Sequence, residues 1–136
     1  MYRIQLAVAL FILMGTGFLI AEEPPSFKDR GPNEKAFVEK VGREVVKAAR
    51  TSLRDGDIKF INYDIKSDGA ARNLRIRLEY KGRVSGTAYV ADINMKLDTS
   101  DNTAWKVLGI QYEDNNKNIA PANLKNVQAL VDKFNR

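Results

Sequence analysis

Residues 61–97 read INYDIKSDGAARNLRIRLEYKGRVSGTAYVADINMKL. Apolar and polar residues alternate along this stretch. Ile61, Tyr63 and Ile65 alternate with Asn62, Asp64 and Lys66. Leu74, Ile76, Leu78 and Tyr80 alternate with Arg75, Arg77, Glu79 and Lys81. A period of two places each set on one face of a strand. Asp68-Gly69 between the first two runs is a two-residue hairpin signal. With those residues as the turn, Tyr63 faces Leu74 and Ile61 faces Ile76. A one-residue slip would set apolar against polar, so the parity is well specified. Gly82-Arg83 is expected as a second two-residue turn, pairing Tyr80 with Ser85, Leu78 with Thr87, Ile76 with Tyr89 and Leu74 with Ala91. Ile93, Met95 and Leu97 continue the same apolar face.

Downstream, residues 98–102 (DTSDN) form a polar turn. A fourth strand is expected over about Thr103–Glu113. Its parity breaks, with Trp105 and Val107 on one phase and Leu108, Ile110 and Tyr112 on the other, which predicts a bulge near Val107-Leu108 or burial of both faces. The strand is also expected as a sheet edge open to pairing. Upstream, residues 33–54 carry Phe37, Val41, Val45, Ala48, Ala49 and Leu53 at three- and four-residue steps, the stripe of an amphipathic helix. Gly56 is the expected left-handed cap after it. Pro121 opens a closing helix with Leu124, Val127, Leu130, Val131 and Phe134 as its stripe. Four meandering strands with one apolar face need cover, and two striped helices supply it. The expected fold class is therefore α+β: a four-stranded antiparallel meander with two helices packed on one face, in the order α-β-β-β-β-α, the other face open to solvent. Residues 102–110 (NTAWKVLGI) resemble the turn-Trp-Lys-hydrophobic-strand stretch of small cystatin-like and nuclear-transport-factor-like α+β rolls. The resemblance implies a curved antiparallel sheet and carries no function.

The N-terminus has the order of an export signal. Arg3 precedes an apolar run, small residues follow at Gly15, Gly17 and Ala21, and the chain turns abruptly polar at Glu22. Residues 1–21 are expected as a signal peptide cleaved after Ala21, or as an uncleaved N-terminal anchor. Residues 4–21 would span about 27 Å as a helix, against a hydrocarbon core of roughly 30 Å. Residues 22–31 are expected as a polar linker and 32–136 as a single α+β domain. Either reading exports the domain, as a periplasmic or secreted protein. Removing residues 1–21 takes away only Arg3, leaving 115 residues with a net charge of +4 in place of +5.

The composition narrows the chemistry further. The chain has no Cys and no His. That excludes disulfides, thiolate nucleophiles, His/Cys metal sites and Ser-His-Asp triads. The 98–102 turn has oxygen donors at alternating positions, but not the Gly and closing Glu of a calcium loop, so no metal is assigned. Glu113-Asp114 is a carboxylate pair whose members should point to opposite faces. No cofactor motif occurs. The positive charge is mild and spread through every element, without interleaved aromatics, so nucleic acid is not an expected partner.

Two surfaces could bind something. Arg75, Arg77 and Lys81 project from the open sheet face and could meet an anionic ligand or an acidic protein partner; a merely solvated strand face is the bland alternative. Tyr63, Tyr80, Tyr89, Trp105 and Tyr112 fall near the covered face and could line a cavity between sheet and helices, or simply form the core. The leading expectation is a small exported, non-catalytic binding module of the bacterial envelope. A periplasmic carrier of a small apolar ligand is the first alternative. A carboxylate- or Tyr-based enzyme is the last, since no catalytic set converges. The membrane enters only through the N-terminal segment, if it stays uncleaved.

Overall fold

The computed structural model describes residues 25–136. The expected export signal lies outside them. The elements follow the expected order: α1 (Glu34–Ala49), β1 (Ile58–Asp68), β2 (Ala71–Lys81), β3 (Ala88–Asp98), β4 (Lys106–Asp114) and α2 (Pro121–Phe134). The strands form one antiparallel sheet in the order β1-β2-β3-β4. Among the described residues, no helix is long and apolar enough to cross a membrane.

Parity is as expected, but both hairpin registers differ from the sequence reading. In the first, Asp68 pairs with Ala71, so Gly69-Ala70 is the loop. Gly69 takes a left-handed φ of 64° there, which a glycine adopts without steric cost. Tyr63 now faces Ile76 and Ile65 faces Leu74. The ladder then shifts between Phe60 and Asn62. Ile61 is the extra residue, 41% exposed, instead of facing Ile76. The bulge lets Ile58 and Phe60 take the inner face in its place.

In the second hairpin the register moves by four residues. Lys81 pairs with Ala88, and Gly82–Thr87 is a six-residue loop in place of the two-residue turn. The Gly82 N–H donates to the Thr87 carbonyl at 2.9 Å, and the Gly86 N–H to the Gly82 carbonyl at 2.8 Å. An even shift keeps every side chain on its face while improving the partners. Tyr80 meets Tyr89 rather than Ser85, and Ile76 meets Ile93. Large apolar pairs across strands stabilise more than apolar–Ser or apolar–Thr pairs.

The β4 bulge lies where the parity broke. Leu97 pairs with Val107 and Lys96 with Gly109, so Leu108 is the extra residue. It is 55% exposed. β4 is the sheet edge expected of it, but its free margin is partly closed. The Gln128 amide donates to the Ile110 carbonyl at 2.8 Å. Asn135 accepts from the Val107 N–H at 2.7 Å and donates to the Val107 carbonyl at 3.0 Å. Two side-chain amides from the end of the chain thus occupy edge groups that would otherwise invite another strand.

The core lies between the inner sheet face and the helices. Leu74, Ile76, Leu78, Ile93, Met95 and Leu97 meet Val38, Val41, Val45 and Val46 of α1 and Val127, Leu130 and Phe134 of α2. α1 stops at Ala49, earlier than the periodicity suggests, and Leu53 reaches the core from the irregular segment beyond it. Gly56, expected as the cap, lies in the short 3-10 turn after that segment. The expected polar lead also contributes to the core: Pro25 is buried and Phe27 is 1% exposed.

α1 crosses the sheet most closely at Gly42. A Cβ there would stand 3.1 Å from Ile76 Cγ2 and 3.2 Å from Leu78 Cδ1. Gly42→Ala sets a helix-propensity gain of about 1 kcal/mol against this crowding and is expected to be near neutral. Gly42→Leu overfills the site and is expected to cost about 1–3 kcal/mol. Urea midpoints of the two variants check the pair; a stable Leu variant would mean that α1 does not lie this close to the sheet.

Candidate functional site

The open face follows from the register. One row across the sheet is Asp64, Arg75, Asn94 and Gln111; the next is Asn62, Arg77, Asp92 and Glu113. These side chains stand over a trough of about 700 Å³, walled at the β4 side by Leu124 and Gln128 of α2. A second hollow of about 500 Å³ shares Asn94, Gln111 and Gln128 and extends to Lys96, Leu108 and Gly109.

The three basic residues singled out from the sequence have different surroundings. Arg77 donates to both oxygens of Asp92, at 2.8 and 3.2 Å. Both partners are about half exposed, so the pair is screened and contributes little to stability. The hydrogen bond to Asp92, with its charge, raises the Arg77 pKa. Arg75 is exposed and, among the described residues, forms no ion pair and no side-chain hydrogen bond. Lys81 ends β2, paired with Ala88. It is six residues from Arg75, roughly 20 Å along an extended strand. Arg75 and Lys81 therefore do not converge on one small group.

The five aromatic residues do not surround a common cavity. Tyr63 lies on β1, its hydroxyl donating to Glu34 at 2.8 Å. Trp105 is 6% exposed, with the Arg30 guanidinium 4.0 Å and the Arg72 guanidinium 5.6 Å from its ring centroid. Its buried indole N–H has no partner among the described residues. Tyr80 packs beside Tyr89, ring centroids 5.4 Å apart. Tyr80 and Tyr112 are held by the carboxylate of Asp114, the inward member of the Glu113-Asp114 pair.

Asp114 is the centre of a closed polar cluster. Its side chain is 1% exposed. Arg50 donates to both oxygens, at 3.0 and 2.9 Å. The Tyr112 hydroxyl donates at 2.6 Å, the Tyr80 hydroxyl at 3.0 Å and the Asn116 N–H at 3.0 Å. Burial alone would push the Asp114 carboxyl up; the donors from Arg50, Tyr112, Asn116 and Tyr80 outweigh it and hold the pKa below the usual carboxylate range. Burial, reinforced by the hydrogen bond to Asp114 and its charge, pushes the Tyr112 phenol far up. Every site on the carboxylate that faces the protein is occupied, so Asp114 is built to hold α1, β2 and β4 together.

Glu113, next in sequence, points the other way, onto the open face. The 98–102 turn closes on itself: Asp98 accepts from the Ser100 N–H and Asp101 from the Thr103 N–H and hydroxyl. These hydrogen bonds lower both carboxyl pKa values. No group of three or more metal-ligating side chains gathers among the described residues. Compared with protein-family models, with curated proteins and with solved structures, the chain matches none.

One signal for the Asp114 cluster was present in the sequence. Tyr80 and Tyr112 both have inward parity, and a buried Tyr hydroxyl needs a partner. Asp114, two residues from Tyr112 with the same parity, was in reach of that signal; its Arg50 partner was not legible, being 64 residues away.

Proposed function

We propose that this protein is a small exported, non-catalytic binding module whose ligand or partner places an anionic group on the open sheet face. Arg75 is the charged contact. The observation that carries the reading is the Arg75 guanidinium, unpaired among the described residues, in the lining of a polar trough of about 700 Å³. A guanidinium is always charged and presents donors shaped for a carboxylate or phosphate. Arg77 has a supporting part, since its donors are engaged by Asp92. Lys81 could touch only an extended partner. Export rests on the order of residues 1–21.

N-acetyl-triglycine, which carries a carboxylate and no ammonium, is the simplest probe. Titrated into the full-length, isotope-labelled chain, it is expected to shift the amide resonances of Arg75, Asn94 and Gln111. Arg75→Gln, an exposed change with little structural cost, is expected to weaken binding at least tenfold. Shifts that are absent from the open face, or unaltered by Arg75→Gln, would refute the reading.

A further inference from the structure

We infer that the trough is built for a short zwitterionic peptide of about three residues, its carboxylate on Arg75 and its ammonium on Glu113. The inference rests on the open-face reading above and names the ligand's class.

The first ground is the charge pattern. Besides Arg75 and the Arg77–Asp92 pair, the trough is lined by Asp64 and Glu113. Among the described residues neither of these carboxylates forms an ion pair within 4.0 Å. A purely anionic ligand would meet Arg75 together with uncompensated negative charge. A ligand with both signs pairs Arg75 and Glu113 at once, while Asp64, exposed opposite Arg75 on β1, keeps its hydration. Asp92 does not disturb this arrangement, because Arg77 neutralises it at 2.8 Å.

The second ground is spacing. Arg75 on β2 and Gln111 on β4 share a row, with Asn94 of β3 between them. Two strand spacings of about 4.8 Å separate them, and Glu113 lies two residues farther along β4, roughly 6.6 Å. The Arg75 and Glu113 Cα atoms are then about 12 Å apart. An extended tripeptide spans roughly 10 Å, and flexible Arg and Glu side chains close the difference.

The third ground is what lies between. Asn94 and Gln111 each offer amide donors and acceptors, which match the N–H and C=O groups of a peptide. Leu124, 40% exposed on the wall, gives an apolar side chain of the ligand a surface to cover.

The test compares Gly-Leu-Gly with free termini, its N-acetylated form and its C-amidated form, by titration calorimetry on the full chain. The free peptide is expected to bind at least tenfold more tightly than either blocked form. Glu113→Gln should bring the free peptide down to the level of the acetylated one. Arg75→Gln should bring it down to the level of the amidated one. Equal binding of free and acetylated peptide, lost in Arg75→Gln, overturns the zwitterionic assignment and leaves the Arg75 reading intact. Binding of none of the three peptides, together with no open-face response to N-acetyl-triglycine, overturns both.

Discussion

Replacing Asp114 by Ala is expected to remove about 3–5 kcal/mol of folding stability, the cost of leaving a buried charge without its partner. The substitution leaves the Arg50 guanidinium without its counter-charge, keeping only the Lys117 carbonyl at 2.9 Å, and removes the acceptor of two tyrosine hydroxyls that donate to Asp114 at 2.6 and 3.0 Å. For a domain of this size that corresponds to a fall in Tm of roughly 12 °C or more. Substituting Arg50→Met together with Asp114→Ala is expected to cost less than the two single changes added, because the stranded charge goes too. Urea midpoints of the four proteins decide the matter. Additive losses would mean that the pair is not coupled.

The same cluster sets a pH window. The folded pKa of Asp114 is depressed. Its contribution is therefore complete above the unfolded carboxyl value of about 4, and is lost as pH falls through the lower folded value. The folded pKa of Tyr112 is raised, burial first and Asp114 second. That contribution is complete below the unfolded phenol value of about 10, and is lost as pH rises toward the higher folded value. The parent and Asp114→Ala should thus differ most between about pH 4 and 10, and converge in strong acid. A gap that persists unchanged at pH 2 would contradict this assignment.

The second large effect is expected at Phe27. Phe27→Ala should cost about 3–5 kcal/mol, as truncation of a fully buried aromatic does. Phe27 is 1% exposed and meets Phe37 edge-on at 4.9 Å and Phe134 at 6.0 Å between centroids. No collapse of the lead alone can refill that volume, since both neighbours are anchored in helices. The prediction also fixes where the domain starts. If Phe27→Ala changed stability by less than 1 kcal/mol, the segment before α1 would be a passive linker after all.

The sequence was informative where periodicity carried the signal. Alternation along 61–97 was enough for the sheet face, the strand order and the layer arrangement, because one face must be buried and a slip by one residue inverts it. It was blind to slips by two or four, which keep parity. The choice among those was made by pairing quality, such as Tyr80 against Tyr89, and by the six-residue loop that this pairing needs. Phe27 gives no such signal, because a single aromatic near Pro24-Pro25 has no period to belong to. The open face was legible as a basic strand, but which Arg is free was not. Each Arg has a carboxylate opposite it, Asp64 for Arg75 and Asp92 for Arg77, and among the described residues only the Arg77–Asp92 pair closes, which is a matter of side-chain geometry.

The contact between the two ends of the domain also sets an order of assembly. Every strand pair joins neighbours along the chain, so loop closure for the meander is short and cheap. The Ser26 hydroxyl, by contrast, donates to the Arg136 carbonyl across 110 residues. Contacts of such long separation form only after the intervening chain has been ordered. The meander is thus expected to form first and the aromatic clasp of Phe27, Phe37 and Phe134 last. A chain interrupted before α2 would hold a sheet whose apolar face is covered by α1 alone, which makes the closing helix the step that converts an adhesive intermediate into a finished protein.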